Sequence, residues 1–207
     1  MQTPLHALLI NCTLKPTPEK SSSELLGSQM LEALIDTDGD IECVSLRAVD
    51  HAIEPGVKTS MGEGDAWPGL RKQVLRADIV ILVTPTWMGQ HSSVAQRVLE
   101  RLNAELGETD EAGRPIFFDK VALIGAVGNE DGAHHITGIL SQALGDVGFT
   151  IPAQASVYWN GEAMHTTDYN QLQETPQKVA EATRTAAANA VHLARLLREA
   201  GYPASAG

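Results

Sequence analysis

The chain opens on an apolar run, Leu5 to Ile10, short enough for a strand buried on both faces, as strands of a parallel sheet are. Ser21 stands three residues before Glu24, a capping-box spacing, and Leu26, Met30 and Leu34 then recur at helical intervals. Ile41 to Leu46 reads as a second strand, Leu70 to Arg76 as a second helix, and Ile79 to Val83 (IVILV) as a third strand without a polar position. Ser93 and Gln96 repeat the capping-box spacing, and Val94, Val98 and Leu102 lay one apolar stripe along a helix running to about Leu106. Strand pattern returns at Asp119 to Val127 and again at Ile151 to Tyr158, with a helix from about Gly132 to Val147 between them. Pro176 to about Ala200 predicts a long final helix.

Strands alternating with helices in this way imply a parallel sheet with helices on both faces, because right-handed crossovers place successive helices so. Three stretches break the rhythm: Arg47 to Ala66, Gly107 to Phe118 and Trp159 to Thr175. Connections longer than about 12 residues in a compact domain are usually functional or mobile. The expectation is a single domain over residues 1–200, followed by a flexible tail at 201–207 rich in Gly, Ala and Ser.

Composition narrows the possible partners. Fifteen Lys and Arg against 26 Asp and Glu leave a net charge of −11, the wrong sign for a surface that must neutralise nucleic-acid phosphates. Hydrophobic residues at 43% and charged residues at 20% are ordinary globular values and exclude disorder for most of the chain. Two cysteines, Cys12 and Cys43, are too few for a disulfide framework and suit a reducing, cytosolic compartment. The opening MQTPLHALLINC lacks a basic leader region, and its apolar run is far short of a membrane span, so neither export nor insertion is expected.

In open α/β sheets ligands bind beyond the carboxyl ends of the strands, which directs attention to the loops after Ile10, Val83 and Val127. The first, NCTLKPTPEKSSS, carries hydroxyls at Thr13, Ser21, Ser22 and Ser23 with Lys15, and leads into a helix N-terminus. Unpaired N–H groups, a partial positive charge, hydroxyls and an ammonium together suit a phosphate. The same serines would also serve simply as helix caps. Neither G-x-G-x-x-G nor G-x-x-x-x-G-K-[ST] is present, which argues against a dinucleotide site or an NTPase loop. Cys12 as a phosphatase nucleophile would want an arginine six positions on, where Pro18 stands.

The second loop, TPTWMGQH, places Pro85, Thr86, Trp87, Met88 and Gly89 directly after a buried strand. Trp87 beside a glycine offers a platform for a flat ring, with stacking contributing about 0.5–1.5 kcal/mol beyond burial; a core or interface role is the alternative. The third loop, VGNEDGAHH, brings Val127, Gly128, Asn129, Gly132, His134 and His135 to the same edge, where freed amides and Asn129 suit the rim of a heterocycle. Glu130, Asp131, His134 and His135 are also potential metal ligands, but they lack a partner His or Cys pair at ligand spacing, so no metal is expected. Asp131 as a helix cap is the plainer reading.

NCTLKP, TPTWMG, GNEDGAHH and YWNGEA, in this order along nearly the whole chain, resemble the NAD(P)H-dependent FMN reductase branch of the flavodoxin-like superfamily. The resemblance implies a three-layer α/β fold with a five-stranded parallel sheet in the order 2-1-3-4-5. It implies FMN, with its phosphate among Thr13, Lys15, Ser21, Ser22 and Ser23. The ring and ribityl chain would lie along Pro85, Thr86, Trp87, Met88 and Gly89, with Val127, Gly128, Asn129, Gly132 and His134 at the other edge. The stretch Asn11, Cys12, Lys15 departs from the commonest phosphate loop of the family, a Gly-Ser start with an early Arg.

It implies, further, an enzyme that takes reducing equivalents from NADPH or NADH and passes them to a quinone, a flavin or another small electron acceptor with ping-pong kinetics. His134 would contact the flavin or help protonate an acceptor, or else face solvent as an ordinary helix-start residue. A homodimer or homotetramer is implied, with Tyr158, Trp159 and Asn160 covering a flavin in the same or a neighbouring subunit. The rival reading is a non-catalytic flavodoxin-type electron carrier, which the charge of −11 would also suit; a flavin-free interaction domain is a third.

Overall fold

The computed structural model describes residues 3–162 and 165–203. Along the chain these form β1 (Leu5–Asn11), α1 (Ser22–Thr37), β2 (Ile41–Arg47), α2 (Trp67–Arg76), β3 (Ile79–Trp87), β4 (Gln90–His91), α3 (Ser93–Leu102), β5 (Val121–Gly128), α4 (Ala133–Asp146), β6 (Ser156–Asn160) and α5 (Gln177–Glu199). The sheet order is β2-β1-β3-β5-β6, every neighbouring pair parallel. This is the expected 2-1-3-4-5 arrangement with one addition: β4 folds back antiparallel on the tip of β3, pairing Thr86 with His91 and Trp87 with Gln90.

Alternation along the central strands sends side chains to two cores. On one face Leu8, Ile10, Val80, Leu82 and Ile124 meet α2, α3 and α4 through Trp67, Val74, Val98, Ile136 and Leu140. On the other, Leu9, Ile81, Val83, Leu123 and Val157 meet Leu26, Met30 and Leu34 of α1 and the alanines 186, 187, 190 and 194 of α5. The winding reverses between β1 and β3, since α1 carries the chain to one side of β1 and α2 returns it to the other. A crevice therefore opens at the carboxyl ends of these two strands.

Several boundaries differ from expectation for identifiable reasons. The last strand begins at Ser156 and not at Ile151, because Pro152 lacks an N–H and Gln154 takes φ of 58°; only Thr150 bridges Val121 before the turn. The preceding strand starts at Val121 and not at Asp119, whose φ is 66°. Ser92, one residue before the expected cap, closes α3 by accepting from Ala95 N at 3.1 Å, and α3 ends at Leu102 in a 3-10 turn. The α2 helix starts three residues earlier than expected, at Trp67, with Pro68 in its first turn. At the described start of the tail, Tyr202 N donates to Asp119 Oδ1 at 2.7 Å and its ring packs 5.1 Å from Phe118. Residues 204–207 lie outside the described residues.

The stretch after β2 is pinned from below. Arg101 of α3, fully buried, donates to Glu54 O, Lys58 O and Asp65 Oδ2, each at 2.8 Å. Burial pushes the Asp65 carboxyl up, but bonds from Arg101 and from the N–H groups of Met61, Trp67 and Glu54 outweigh it and hold the group well below the usual carboxylate range. Among the described residues no helix is long and apolar enough to cross a membrane.

Candidate functional site

The loop after β1 is organised by Asn11, which is 2% exposed. Its Oδ1 accepts from Thr13 N at 3.1 Å and from Ser23 Oγ at 3.0 Å. Ser21 caps α1, its Oγ accepting from Glu24 N at 3.1 Å and lying 3.3 Å from Ser23 Oγ. Glu24 does not complete the capping box; it pairs with Arg47 at the end of β2, which also donates to Lys15 O and Glu19 O and so fixes the loop from outside. The result is a helix start whose Ser22 and Ser23 N–H groups have no intrahelical partner, beside the buried hydroxyls of Thr13, Ser21 and Ser23.

The tips of β3 and β5 form the second wall. A Cβ on Gly128 would fall 2.8 Å from Thr86 Cβ, so the absence of a side chain lets the strand ends approach. Thr86 is 4% exposed and its hydroxyl has no hydrogen-bond partner among the described residues, while Trp87 is 52% exposed. Asn129 donates through Nδ2 to Asp168 Oδ1 at 3.0 Å; its own Oδ1 is buried against Gly161 without a partner.

The third wall comes from the stretch before α5. Trp159 and Tyr169 pack with ring centroids 5.4 Å apart, and Tyr169 Oη donates to Gln29 Oε1 at 2.6 Å. Ser22 Oγ donates to Asn170 Oδ1 at 3.3 Å, joining this wall to the start of α1. The three walls enclose a cavity of about 440 Å³, within the roughly 300–1,000 Å³ of small-molecule sites.

Eleven of the residues singled out for cofactor binding line this cavity: Thr13, Lys15, Ser21, Ser22 and Ser23 on one side, Pro85, Thr86, Trp87, Val127, Gly128 and Asn129 on the other. Met88, Gly89, Gly132 and His134 are not among its lining residues. Met88 is 89% exposed at a φ of 52°, and Gly89 meets Gly132 at the back of the two loops. His134 Nε2 lies 2.9 Å from Tyr158 Oη with the rings edge to face. Trp159 lines the cavity, but neither Tyr158 nor Asn160 does.

Leu14, Glu130, Asp168 and Tyr169 complete the lining and are not among the residues the sequence marks as cofactor-binding. In the sequence Glu130 stands out only as a potential metal ligand, and the signal for Asp168 and Tyr169 is the length of the stretch 159–175 itself.

Asp131 accepts from the adjacent Gly132 N, and α4 has no side-chain cap. Among the described residues no group of three or more His, Cys, Asp or Glu is placed to hold a metal. Cys12 is fully buried, which pushes its thiol far up and leaves it unsuited to nucleophilic attack.

These features fit a phosphorylated mononucleotide. Free helix-terminal N–H groups and hydroxyls suit a dianion, an exposed indole and a side-chain-free strand tip suit a flat ring, and unpaired Thr86 Oγ1 marks an incomplete polar wall.

A parallel sheet of this order, with its cavity at the β1–β3 reversal, defines a flavodoxin-like α/β flavoprotein. The chain belongs to the NADPH-dependent FMN reductase family, whose profile matches residues 6–163. It is 32% identical, over 96% of its own length and 80% of the relative's, to 8-demethyl-8-aminoriboflavin-5'-phosphate synthase of Streptomyces davaonensis. The crystal structure of RosB with bound 8-demethyl-8-formylriboflavin-5'-phosphate superposes with a TM-score of 0.85 at 30% identity, covering 96% of this chain and 82% of that one. A divalent metal cation transporter, MntH, of Mycobacterium bovis is 39% identical over 77% of this chain, which spans only 24% of that protein.

Proposed function

We propose that this chain is an FMN-dependent oxidoreductase that takes reducing equivalents from NADH or NADPH and delivers them to a quinone, a flavin or another small acceptor in alternating half-reactions. The observation that carries the reading is the continuity of one cavity from the start of α1 to the exposed face of Trp87. FMN would be held with its phosphate against the Ser22 and Ser23 N–H groups, the hydroxyls of Thr13, Ser21 and Ser23, and Lys15. Its ring would lie between Trp87, Gly128 and Asn129, covered by Trp159. When bound, the flavin supplies the two-electron chemistry.

The chain supplies position and electrostatics. Trp87 and Trp159 present flat apolar faces that orient a ring and exclude water. The bond from Asn129 to Asp168 fixes the amide at the ring edge, and backbone N–H groups at the tips of β3 and β5 suit charge developing there. His134 shares a hydrogen bond with Tyr158 Oη outside the cavity lining and is assigned no contact with the ring. A homo-oligomer fits the exposed Leu14, Trp87 and Met88 around the opening. A cytosolic setting fits Cys12 and Cys43, both unpaired.

A second reading has its own support. The likeness to a synthase acting on a riboflavin phosphate, and to RosB with its intermediate bound, favours a flavin phosphate as substrate as well as cofactor. One set of measurements separates these. The purified protein should be yellow, and mass spectrometry of the released flavin should give unaltered FMN for the reductase or a modified ring for the second reading. Anaerobic mixing with NADH or NADPH should bleach the flavin on a catalytic timescale. Absence of bleaching would leave an electron carrier, and absence of saturable FMN uptake would overturn both readings.

A further inference from the structure

The charges around the cavity are unevenly placed. Its charged lining comprises Lys15 at the α1 end and two carboxylates, Glu130 and Asp168, at the other; among the described residues no arginine lines it. Asp168 is held there by Asn129 Nδ2, and its backbone N–H is in turn taken by Gln171 Oε1, so its carboxylate stays beside the ring-side wall. Glu130 is half-buried on the β5–α4 loop and has no ion pair or hydrogen bond among the described residues.

With a phosphate of about −1.5 to −2 facing one lysine, the loaded cavity is net negative before any second ligand enters, inside a chain of net charge −11. The indoles of Trp87 and Trp159 share that space, and an aromatic face beside a carboxylate attracts a cation and tolerates a neutral ring.

Building on the FMN-dependent reading above, we propose that Glu130 and Asp168 make the open side of this cavity selective for neutral or cationic flat acceptors over anionic ones, with Glu130 as the specificity-determining residue. Each quinone turnover balances as quinone plus NADH plus a proton giving hydroquinone plus oxidised nicotinamide, so the net charge carried by the acceptor's substituent is unchanged by the reaction. What Glu130 discriminates is therefore the substituent. A single carboxylate in a partly dry cleft shifts the relative affinity for a unit charge by about tenfold, and added salt reduces that.

The test uses the FMN-loaded protein with three probes on one ring system: 1,4-naphthoquinone, a sulfonated naphthoquinone and a naphthoquinone with a trimethylammonium side chain. Binding is read by quenching of tryptophan fluorescence in the absence of nicotinamide, and turnover by kcat/KM. The expected order is cationic, neutral, anionic, with about tenfold or more at each step of one unit charge. Glu130→Gln should narrow each step about tenfold, Glu130→Lys should invert the order, and 0.5 M salt should compress it in the wild type. Equal affinities for the three probes in the wild type, or an unchanged gap in both variants, overturns the proposal. Visible absorbance is recorded first: a protein that takes up no FMN fails at the functional reading, whereas a yellow protein without charge discrimination fails only here.

Discussion

Gly132 lies so close to Gly89 that a Cβ built on it would fall 2.6 Å from Gly89 Cα and 2.8 Å from its carbonyl oxygen. The turn after β3 and the loop after β5 therefore touch backbone to backbone, behind the wall that carries Trp87 and Asn129. Gly132 also holds φ at 133°, a region closed to other residues.

Gly132→Ala should combine strain and collision, lowering stability by about 2 kcal/mol or more. Because the displaced element is a cavity wall, FMN affinity should fall as well. Thermal unfolding and flavin titration together check this; a variant with unchanged melting and unchanged affinity would show that the two loops are independent.

Ser21 caps α1 and also lines the cavity. As the cap of α1 its hydroxyl is worth about 1 kcal/mol against alanine, but only a few tenths against glycine. Ser21→Gly should therefore recover most of the stability lost in Ser21→Ala. If the hydroxyl also meets the phosphate, both variants should lose FMN affinity to a similar degree. Denaturant unfolding beside flavin titration reads the two effects separately.

Much of this was legible in the sequence, for physical reasons that differ from residue to residue. IVILV at 79–83 has no polar position, is short and is rich in β-branched residues, which suits a strand covered on both faces, so the central strand and the parallel sheet followed. Ser21 announced the start of α1 because capping is a local interaction. Glu24 misled for the opposite reason: its partner is Arg47, distant in sequence, and no spacing reveals a long-range pair. Asp168 and Tyr169 became cavity walls only through contacts with Asn129 and Gln29, on other elements. His134 and Gly132 were read from one loop as ring contacts. The hydrogen bond to Tyr158 and the packing on Gly89 place both outside the lining.

Trp159 should cover whatever the cavity holds. It leans on Tyr169, which Gln29 anchors, so its position is set by the second core and not by the ligand. Trp159→Ala should weaken FMN binding by roughly fivefold, as expected when about 1 kcal/mol of aromatic contact is lost. Tyr169→Phe, which removes only the anchoring hydroxyl, should have a smaller effect in the same direction. Unchanged affinity, flavin spectrum and turnover in Trp159→Ala would remove the covering role.

The Arg101–Asp65 pair gives the chain a defined response to acid. Both side chains are fully buried, and the guanidinium also holds two carbonyls of the stretch between β2 and α2. Arg101→Met would leave an uncompensated carboxylate, with an expected loss of about 3–5 kcal/mol; Arg101→Met with Asp65→Leu should recover part of it. Because the folded-state pKa of Asp65 is depressed, its contribution is fully present above its unfolded value near 3.8 and is lost as pH falls toward the folded value. Wild-type stability should therefore decline below about pH 4 with a slope that includes one proton from this carboxylate. Removing the guanidinium raises the Asp65 pKa, so that proton is taken up at higher pH. Denaturant unfolding across pH 3–7 checks the sign: in Arg101→Met the stability difference from wild type should shrink as pH falls, and a constant difference would show that Asp65 does not titrate with folding.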